Sequence, residues 1–265
     1  MSAGIYELYA IKYGHHPRRA SENFIGGDPH DGPMPLDYFV WLARSPERTV
    51  VIDTGFDLAV AKRRGRQYLR SPAEGLKLLG VDAAAIRDVV ITHLHYDHVG
   101  NFSLFPSAAF HLQDREMAFA TGRHMRHGIF SSAFEVEEVV GMVREVYKGR
   151  VEFHDGDAEL APGLSLHHIG GHTAGLQSVR VMTERGAVVV ASDATHLYAN
   201  MEETRPFPIV YDVAKMVEGY GRLRALADSP AHIVPGHDPD VLRRYPAPTP
   251  ALEGIVCRLD EAPRS

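Results

Sequence analysis

The chain has 265 residues, 45% of them hydrophobic, and a formal charge of −6 from 28 Lys and Arg against 34 Asp and Glu. That is enough apolar material for one large α/β domain over residues 1–265, and the charge gives no global reason to expect nucleic acid as a partner. The N-terminal MSAGIYELYAIKYGHH lacks a basic segment followed by an apolar one, no run of about 18 apolar residues occurs, and Cys257 is the only cysteine; a cytoplasmic protein without membrane association, disulfides or thiolate metal clusters is expected.

In chain order, β-branched and aromatic runs at 5–11, 36–42 and 49–52 read as strands. Between the first two lies NFIGGDPHDGPMPLDYF, too long and too rich in Gly and Pro for a simple turn. It is expected to be a mobile loop over the site or part of a homodimer contact, with Phe24 and Ile25 as its apolar tip and candidates for substrate binding. Helix-like stretches follow at 58–69 and 72–79. The first contains KRRGRQYLR, basic enough to suggest phosphate binding, but its amphipathic pattern favours a solvated face. Strands at 89–92 and 109–112 lead to helices at 114–119 and 134–147. The segment 113–150 is read as a substrate-facing helical segment, and its His124, Met125, His127, Phe130 and Phe134 either line an apolar pocket or pack in the core. FHDGDAEL places Asp155 and Asp157 around Gly156, which reads as a hairpin-like turn. Strands at 164–169, 178–182 and 187–191 precede a helix at 213–227, for which Asp212 is the expected N-cap, and a last strand at 232–234. Two groups of strands, each followed by helices, suggest two sheets packed face to face with helices outside. His111, His154, His167, His168 and His232 lie in or beside apolar strands and are read as structural.

The chemistry concentrates in VVITHLHYDHVGN, residues 89–101. With 89–92 as a strand, His93, His95, Asp97 and His98 fall in the loop leaving its C-terminal end, where alternate residues share a face and side chains can converge. One ion could take His93 and His95, a second Asp97 and His98. Imidazole and carboxylate suit zinc, and also iron, cobalt or manganese. Three further strand ends supply the same side chains: LHHIGGHTAG brings His172, AVVVASDATH brings Asp193 and AHIVPGHDPD brings His237. Glycines beside these residues permit the close backbone approach that such loops need.

This ordered set, His93-x-His95-x-Asp97-His98 with His172, Asp193 and His237, resembles the pattern of the metallo-β-lactamase superfamily, and VVIDTGF resembles its Asp-Thr-Gly strand; together the likeness spans roughly residues 36–240. The resemblance implies an α/β fold, an αββα sandwich of two mixed β-sheets with helices on the outer faces, and a dinuclear site at one edge. It implies that His93, His95 and His172 hold one divalent ion and Asp97, His98 and His237 the other. Asp193 would bridge them and Asp53 would support the site from behind. Zinc is the expected ion, with iron, cobalt and manganese as alternatives. A bridging carboxylate and all-nitrogen-and-oxygen ligands are similar to the hydrolytic members rather than to the cysteine-containing antibiotic-hydrolysing ones, and His95 stands where flavodiiron proteins have Glu. The chemistry implied is attack of a metal-bridging hydroxide on a carbonyl carbon, with Asp97 in the catalytic group.

DTGF, THLHYDHVGN, GGHTAGLQS, SDAT and PGHD look closest to the N-acyl-homoserine lactonases, which implies a quorum-quenching hydrolase of carboxylic ester bonds acting on a small lactone. Those lactonases carry a tyrosine three residues after the bridging aspartate. Here His196 occupies that place and Tyr198 follows, so either is a candidate to hold the substrate carbonyl. The alternatives on the same site are hydrolysis of another ester, a thioester, a phosphotriester or a catabolic lactone. An alternative of another class is a mono-iron oxidoreductase of the superfamily.

Overall fold

The computed structural model describes residues 4–264 and arranges them around two β-sheets. Strands β1 (Glu7–His16), β2 (Leu36–Arg44), β3 (Thr49–Ile52), β4 (Gln67–Tyr68), β5 (Asp88–Val90), β6 (Ala109–Gln113) and β7 (Val151–His154) build the larger sheet. Strands β8 (Ala158–Ala161), β9 (Leu164–His168), β10 (Gln177–Thr183), β11 (Gly186–Ser192) and β12 (Ile233–Pro235) build the smaller one, and β13 (Val256–Arg258) returns to the larger. The larger sheet runs in the order β13-β1-β2-β3-β5-β6-β7, with β4 on the far end of β1; it is antiparallel from β13 to β3 and parallel from β3 to β7. The smaller runs β12-β11-β10-β9-β8, antiparallel except for the parallel pair β11 and β12.

Strand β2, LDYFVWLAR, shows why the sheets stack. Side chains alternate along a strand, so Phe39, Trp41 and Ala43 meet Leu166, Val179 and Val190 of the smaller sheet, while Tyr38, Val40 and Leu42 face the helices outside. Strand β11 repeats the logic. Its Val188 and Val190 point between the sheets, and its Val189 and Ala191 point at Met216, Tyr220 and Leu223 of helix Val213–Leu226. A strand apolar on both faces must lie between two layers. The result is the αββα sandwich of two mixed sheets expected above. Each such side chain, fully buried, stabilises the fold by roughly 1.5–3 kcal/mol relative to exposure. Asp212 caps helix Val213–Leu226 as expected, its carboxylate accepting from the Lys215 N–H. Among the described residues no helix is long and apolar enough to cross a membrane.

Two local readings change. The expected helix at 58–69 ends at Arg64, because Gly65 adopts φ 64° and ψ 35° and closes the last turn; the chain then forms β4 against β1. KRRGRQYLR is therefore split between a helix end and an edge strand rather than lying on one solvated face. The Asp155–Asp157 turn joins β7 of one sheet to β8 of the other, so the two strands it connects do not pair as a hairpin.

Candidate metal centre

Strands β3 and β5 run parallel and end side by side, delivering Asp53 and the His93–His98 loop to one edge of the larger sheet. In the smaller sheet β9, β11 and β12 point the same way, and His172, Asp193 and His237 follow their C-terminal ends. Face-to-face stacking then brings the two edges together. All seven side chains converge, and each is at least nine-tenths buried.

Asp193 is the centre of this cage. Its Oδ2 lies 3.8 Å from His93 Nε2 and 3.2 Å from His172 Nε2, while its Oδ1 lies 3.2 Å from His98 Nε2 and 3.0 Å from His237 Nε2. His95 Nδ1 is 2.9 Å from His172 Nε2 on the first side, and Asp97 Oδ2 is 3.8 Å from His98 Nε2 and 3.7 Å from His237 Nε2 on the second. Ligands about 2.0–2.1 Å from a tetrahedral ion stand about 3.3 Å apart. The separations here scatter around that value, and the groups His93–His95–His172 and Asp97–His98–His237 could each hold a cation.

The hydrogen bonds behind the rings fix which nitrogens face inward. His172 Nδ1 lies 2.7 Å from the Ile209 carbonyl and His237 Nδ1 lies 3.0 Å from the Asp37 carbonyl. A carbonyl only accepts, so Nδ1 carries the proton in both rings and Nε2 turns toward the cage. His98 Nδ1 likewise meets Asp53 Oδ2 at 2.7 Å, and Asp53 also accepts from the Thr92 N–H at 2.7 Å and the Thr92 hydroxyl at 2.8 Å. His93 Nε2, His98 Nε2 and Asp193 Oδ1 are buried without a hydrogen-bond partner. Orphaned buried polar atoms are costly, and cations held by the two groups would satisfy all three.

Electrostatics agree with a cation site. Burial, then neighbouring imidazoles, push His93 and His95 well below the ordinary histidine range, and burial takes His172 down to about 3. Burial would also lower His98 and His237, but carboxylates outweigh it: Asp193, Asp53 and Asp97 around His98, Asp193 and Asp97 beside His237. Burial pushes the Asp193 carboxyl up, yet His196, His237, His98 and His172 together hold it well below the usual carboxylate range. The carboxylates thus favour the protonated forms of His98 and His237, and a bound cation would compete with those protons.

The backbone is bent to hold this arrangement. Asp53 and Ser192 carry φ of 61° and 48°, a region L-residues rarely enter, at the ends of β3 and β11. Thr92 Oγ1, just past β5, and Ser192 Oγ, at the end of β11, lie 2.9 Å apart and tie the two sheets together at this edge. Gly236 must lack a side chain, since a Cβ there would stand 2.7 Å from Asp193 Oδ1.

A cavity of about 250 Å³ opens onto the cage, reached by His95, Asp97, His172, Asp193, His196 and His237. His196 lies with its ring 3.7 Å from the Phe207 ring and its Nε2 2.8 Å from Asp193 Oδ2; burial lowers its pKa to about 4. Tyr198 does not reach the cavity. Its ring packs in the layer between the sheets with the Arg244 guanidinium 3.6 Å above it, because its backbone N–H is anchored on Asp238 at the start of a helix turned away from the cage. Phe24 and Ile25 also miss it. The loop is fastened to its own chain, with the Ile25 N–H bonded to the Pro206 carbonyl and Asn200 bonded to the Asn23 carbonyl; Phe24 is buried under Arg205 and Ile25 faces solvent.

Of the 113–150 segment, Phe134 packs edge-on at 4.6 Å from the His95 ring, and Phe130 borders a crevice beside His95 and His172. His124 sits one layer back against Tyr211, Met125 packs in the outer core and His127 is exposed, so these three lie off the cavity. The five histidines read as structural each have a protein partner, such as Asp88 for His111 and the Ala174 carbonyl for His168.

Several residues at the site were not placed there by the sequence, Arg64 and Arg66 having been read as part of a solvated face. Tyr38 and Tyr96 join hydroxyls at 3.1 Å on one wall, Arg18, Arg64 and Arg66 line the mouth, and Phe207 and Ile209 close the other side. Glu116 is buried behind the cage and accepts from the Leu94 N–H, the Gly175 N–H and the Thr173 hydroxyl at 2.9, 3.0 and 2.6 Å. Tyr96, inside the histidine motif itself, carried a positional signal; Glu116 in its amphipathic helix carried none.

The chain matches the metallo-beta-lactamase superfamily over residues 34–242. It is 30% identical to N-acyl homoserine lactonase AttM of Azorhizobium caulinodans over 235 residues, 81% of this chain and 86% of that protein. Among solved structures, that of a quorum-quenching N-acyl homoserine lactone lactonase is 23% identical, covering 90% of this chain and 94% of its own with a TM-score of 0.74. That of AidC, a dizinc quorum-quenching lactonase in complex with its product, is 17% identical, covering 89% of each chain with a TM-score of 0.70.

Proposed function

The chain belongs to the metallo-β-lactamase superfamily, and from that premise we propose that it is a dinuclear metallohydrolase that opens a lactone ring, N-acyl homoserine lactones being the substrates named for its relatives. The observation that carries this reading is Asp193, whose two carboxylate oxygens face two separate sets of ligands, His93 and His172 on one side, His98 and His237 on the other. The dizinc relative supports two zinc ions. When bound, such a pair supplies Lewis acidity and lowers the pKa of water toward about 7.

The rest is the work of this chain's residues. Burial of the cage excludes bulk water, so the carboxylates and imidazoles act in a low-dielectric setting where their orientation counts most. Asp97 is 8% exposed against 2% for Asp193 and 0% for Asp53. It is therefore the carboxylate most open to the cavity, and one of its oxygens would take up the proton that the attacking water loses and return it to the ring oxygen as the C–O bond breaks. His196, neutral at pH 7 and with both ring nitrogens buried without a hydrogen-bond partner, would donate its one N–H to the carbonyl in the place where the lactonases that the sequence resembles have a tyrosine. Phe134 and Phe207 supply apolar walls. Cys257, single and buried, suits the reducing cytoplasm.

Water adds across the ring ester to give a hydroxy acid, which releases one proton at neutral pH. A pH-stat assay on N-hexanoyl homoserine lactone, a thioester and a phosphotriester, run beside metal analysis, tests the reading: acid release from the lactone with two ions per chain is expected. One iron per chain with oxygen consumption would establish the oxidoreductase instead. His196→Ala is expected to lower kcat by about 10–100-fold with metal content unchanged. If kinetics on a turned-over lactone do not move, or if a metal is lost, His196 does not serve as the carbonyl-binding group.

A further inference from the structure

The mouth of the cavity is more positive than an uncharged lactone requires. Arg64 is neutralised, with its Nε 2.7 Å from Glu135 Oε1. Arg66 is not. Its Nε donates to the Tyr96 hydroxyl at 3.0 Å and its Nη1 to the Arg64 carbonyl at 2.6 Å, and among the described residues no carboxylate lies within 4.0 Å of its guanidinium. Arg18 has no close carboxylate either: its Nη2 donates to the Glu22 carbonyl at 2.6 Å, the exposed Glu22 carboxylate is 3.9 Å away, and its Nε is buried with no hydrogen-bond partner. Both side chains line the same cavity as the cage. Arg18 lies 4.9 Å from the Phe207 ring that packs on His196, while Arg66 contacts Tyr96, the neighbour of Asp97 in the chain. Pairing of β4 with β1 sets Gln67 opposite His15, so the two guanidiniums stand near one another at the mouth, with His16 beside both. Their field is felt nearby, for burial and then Arg66 and Arg18 press His16 down to about 4. Asp97 and Asp193 do not answer this charge once they serve cations.

A guanidinium is expensive to keep half-desolvated without an anion, and its planar fork matches the oxygens of a carboxylate or phosphate. We propose that Arg18 and Arg66 form an oxyanion subsite, and that the preferred substrate is a small lactone bearing a carboxylate or phosphate group. This rests on the lactone reading above and deepens it. A cavity of about 250 Å³ suits such a compact ligand, and an acyl homoserine lactone, having no charge, leaves both arginines unmet.

The test uses zinc-reconstituted protein and lactams that mimic the ring without opening: 5-oxoproline, its phosphonate analogue and its carboxamide, titrated calorimetrically. Binding of one or both oxyanions about tenfold or more tighter than the carboxamide is expected, with the preference falling to within about twofold in the double variant Arg18→Gln, Arg66→Gln and largely kept in Arg66→Lys. The carboxylate and phosphonate arms show which oxyanion is favoured. Equal binding of all three, no binding of any, or a preference that survives the double substitution in a variant that unfolds like the parent would overturn the proposal; survival would mean that the metal centre, not the arginines, holds the charge. The matching lactones, 5-oxotetrahydrofuran-2-carboxylate and its carboxamide, separate the two readings in a pH-stat. Oxyanion preference without ring opening keeps the subsite and removes the lactonase, whereas ring opening without preference does the reverse.

Discussion

Asp193→Ala is expected to reduce turnover of any opened lactone by at least about 10³-fold and to cut bound metal from two ions per chain to one or none. Among the described residues Asp193 is the carboxylate that faces both halves of the cage: its Oδ2 is within 3.8 Å of His93 and His172, and its Oδ1 within 3.2 Å of His98 and His237. The substitution also removes a carboxylate that holds His98 and His237 above the ordinary histidine range, so the metal-free variant should carry fewer protons there near neutral pH. Metal analysis beside kcat/KM checks the first effect, and histidine titration by NMR checks the second. Turnover within tenfold of the parent at full metal occupancy would remove Asp193 from its bridging place.

The second large effect is expected from Glu116→Ala. The Glu116 carboxylate is buried between the two loops that carry His93, His95 and His172, and it accepts three hydrogen bonds from them. Burial pushes its pKa up while the Thr173 hydroxyl and the Leu94 and Gly175 amides favour the charged form. Deleting the carboxylate strands three buried donors at once. The fold should lose about 3–5 kcal/mol, and the loosened loops should bind metal about 10–100-fold more weakly. Glu116→Gln keeps the shape but turns an amide N–H₂ toward at least one donor, so it should recover only part of both losses. Urea denaturation and competitive metal titration measure the two quantities. A variant unchanged in both would show that the loops hold themselves.

These two residues also mark what the sequence could and could not reveal. Asp193 was legible because it follows an apolar strand in AVVVASDATH and has counterparts at three other strand ends. The layering was legible from the order of elements, two groups of strands each followed by helices, and the structure gives its physical reason: LDYFVWLAR and GAVVVAS are buried on both faces, as a strand between two layers must be. Glu116 was hidden because its partners, Leu94, Thr173 and Gly175, are up to 59 residues away. Arg66 was misplaced for lack of one local event, the left-handed turn at Gly65 that ends a helix whose amphipathic pattern seemed to continue. Phe24 looked like a greasy loop tip because nothing near it in sequence announces Arg205, the guanidinium that covers it. Tyr198 stands two residues from His196, yet the bond from its backbone to Asp238 turns its ring the other way. Strands β7, β8 and β13 escaped because they are short, partly exposed and polar in places, so their pairing comes from the sheet edge they join rather than from their own pattern.

The pairing of two cations within one cage is tested most directly by diffraction from zinc-loaded crystals with anomalous maps on either side of the zinc edge. Two peaks about 3.5–4 Å apart are expected, one among His93, His95 and His172, the other among Asp97, His98 and His237, with Asp193 touching both. A single peak at full occupancy, or zinc bound away from Asp193, would contradict the account.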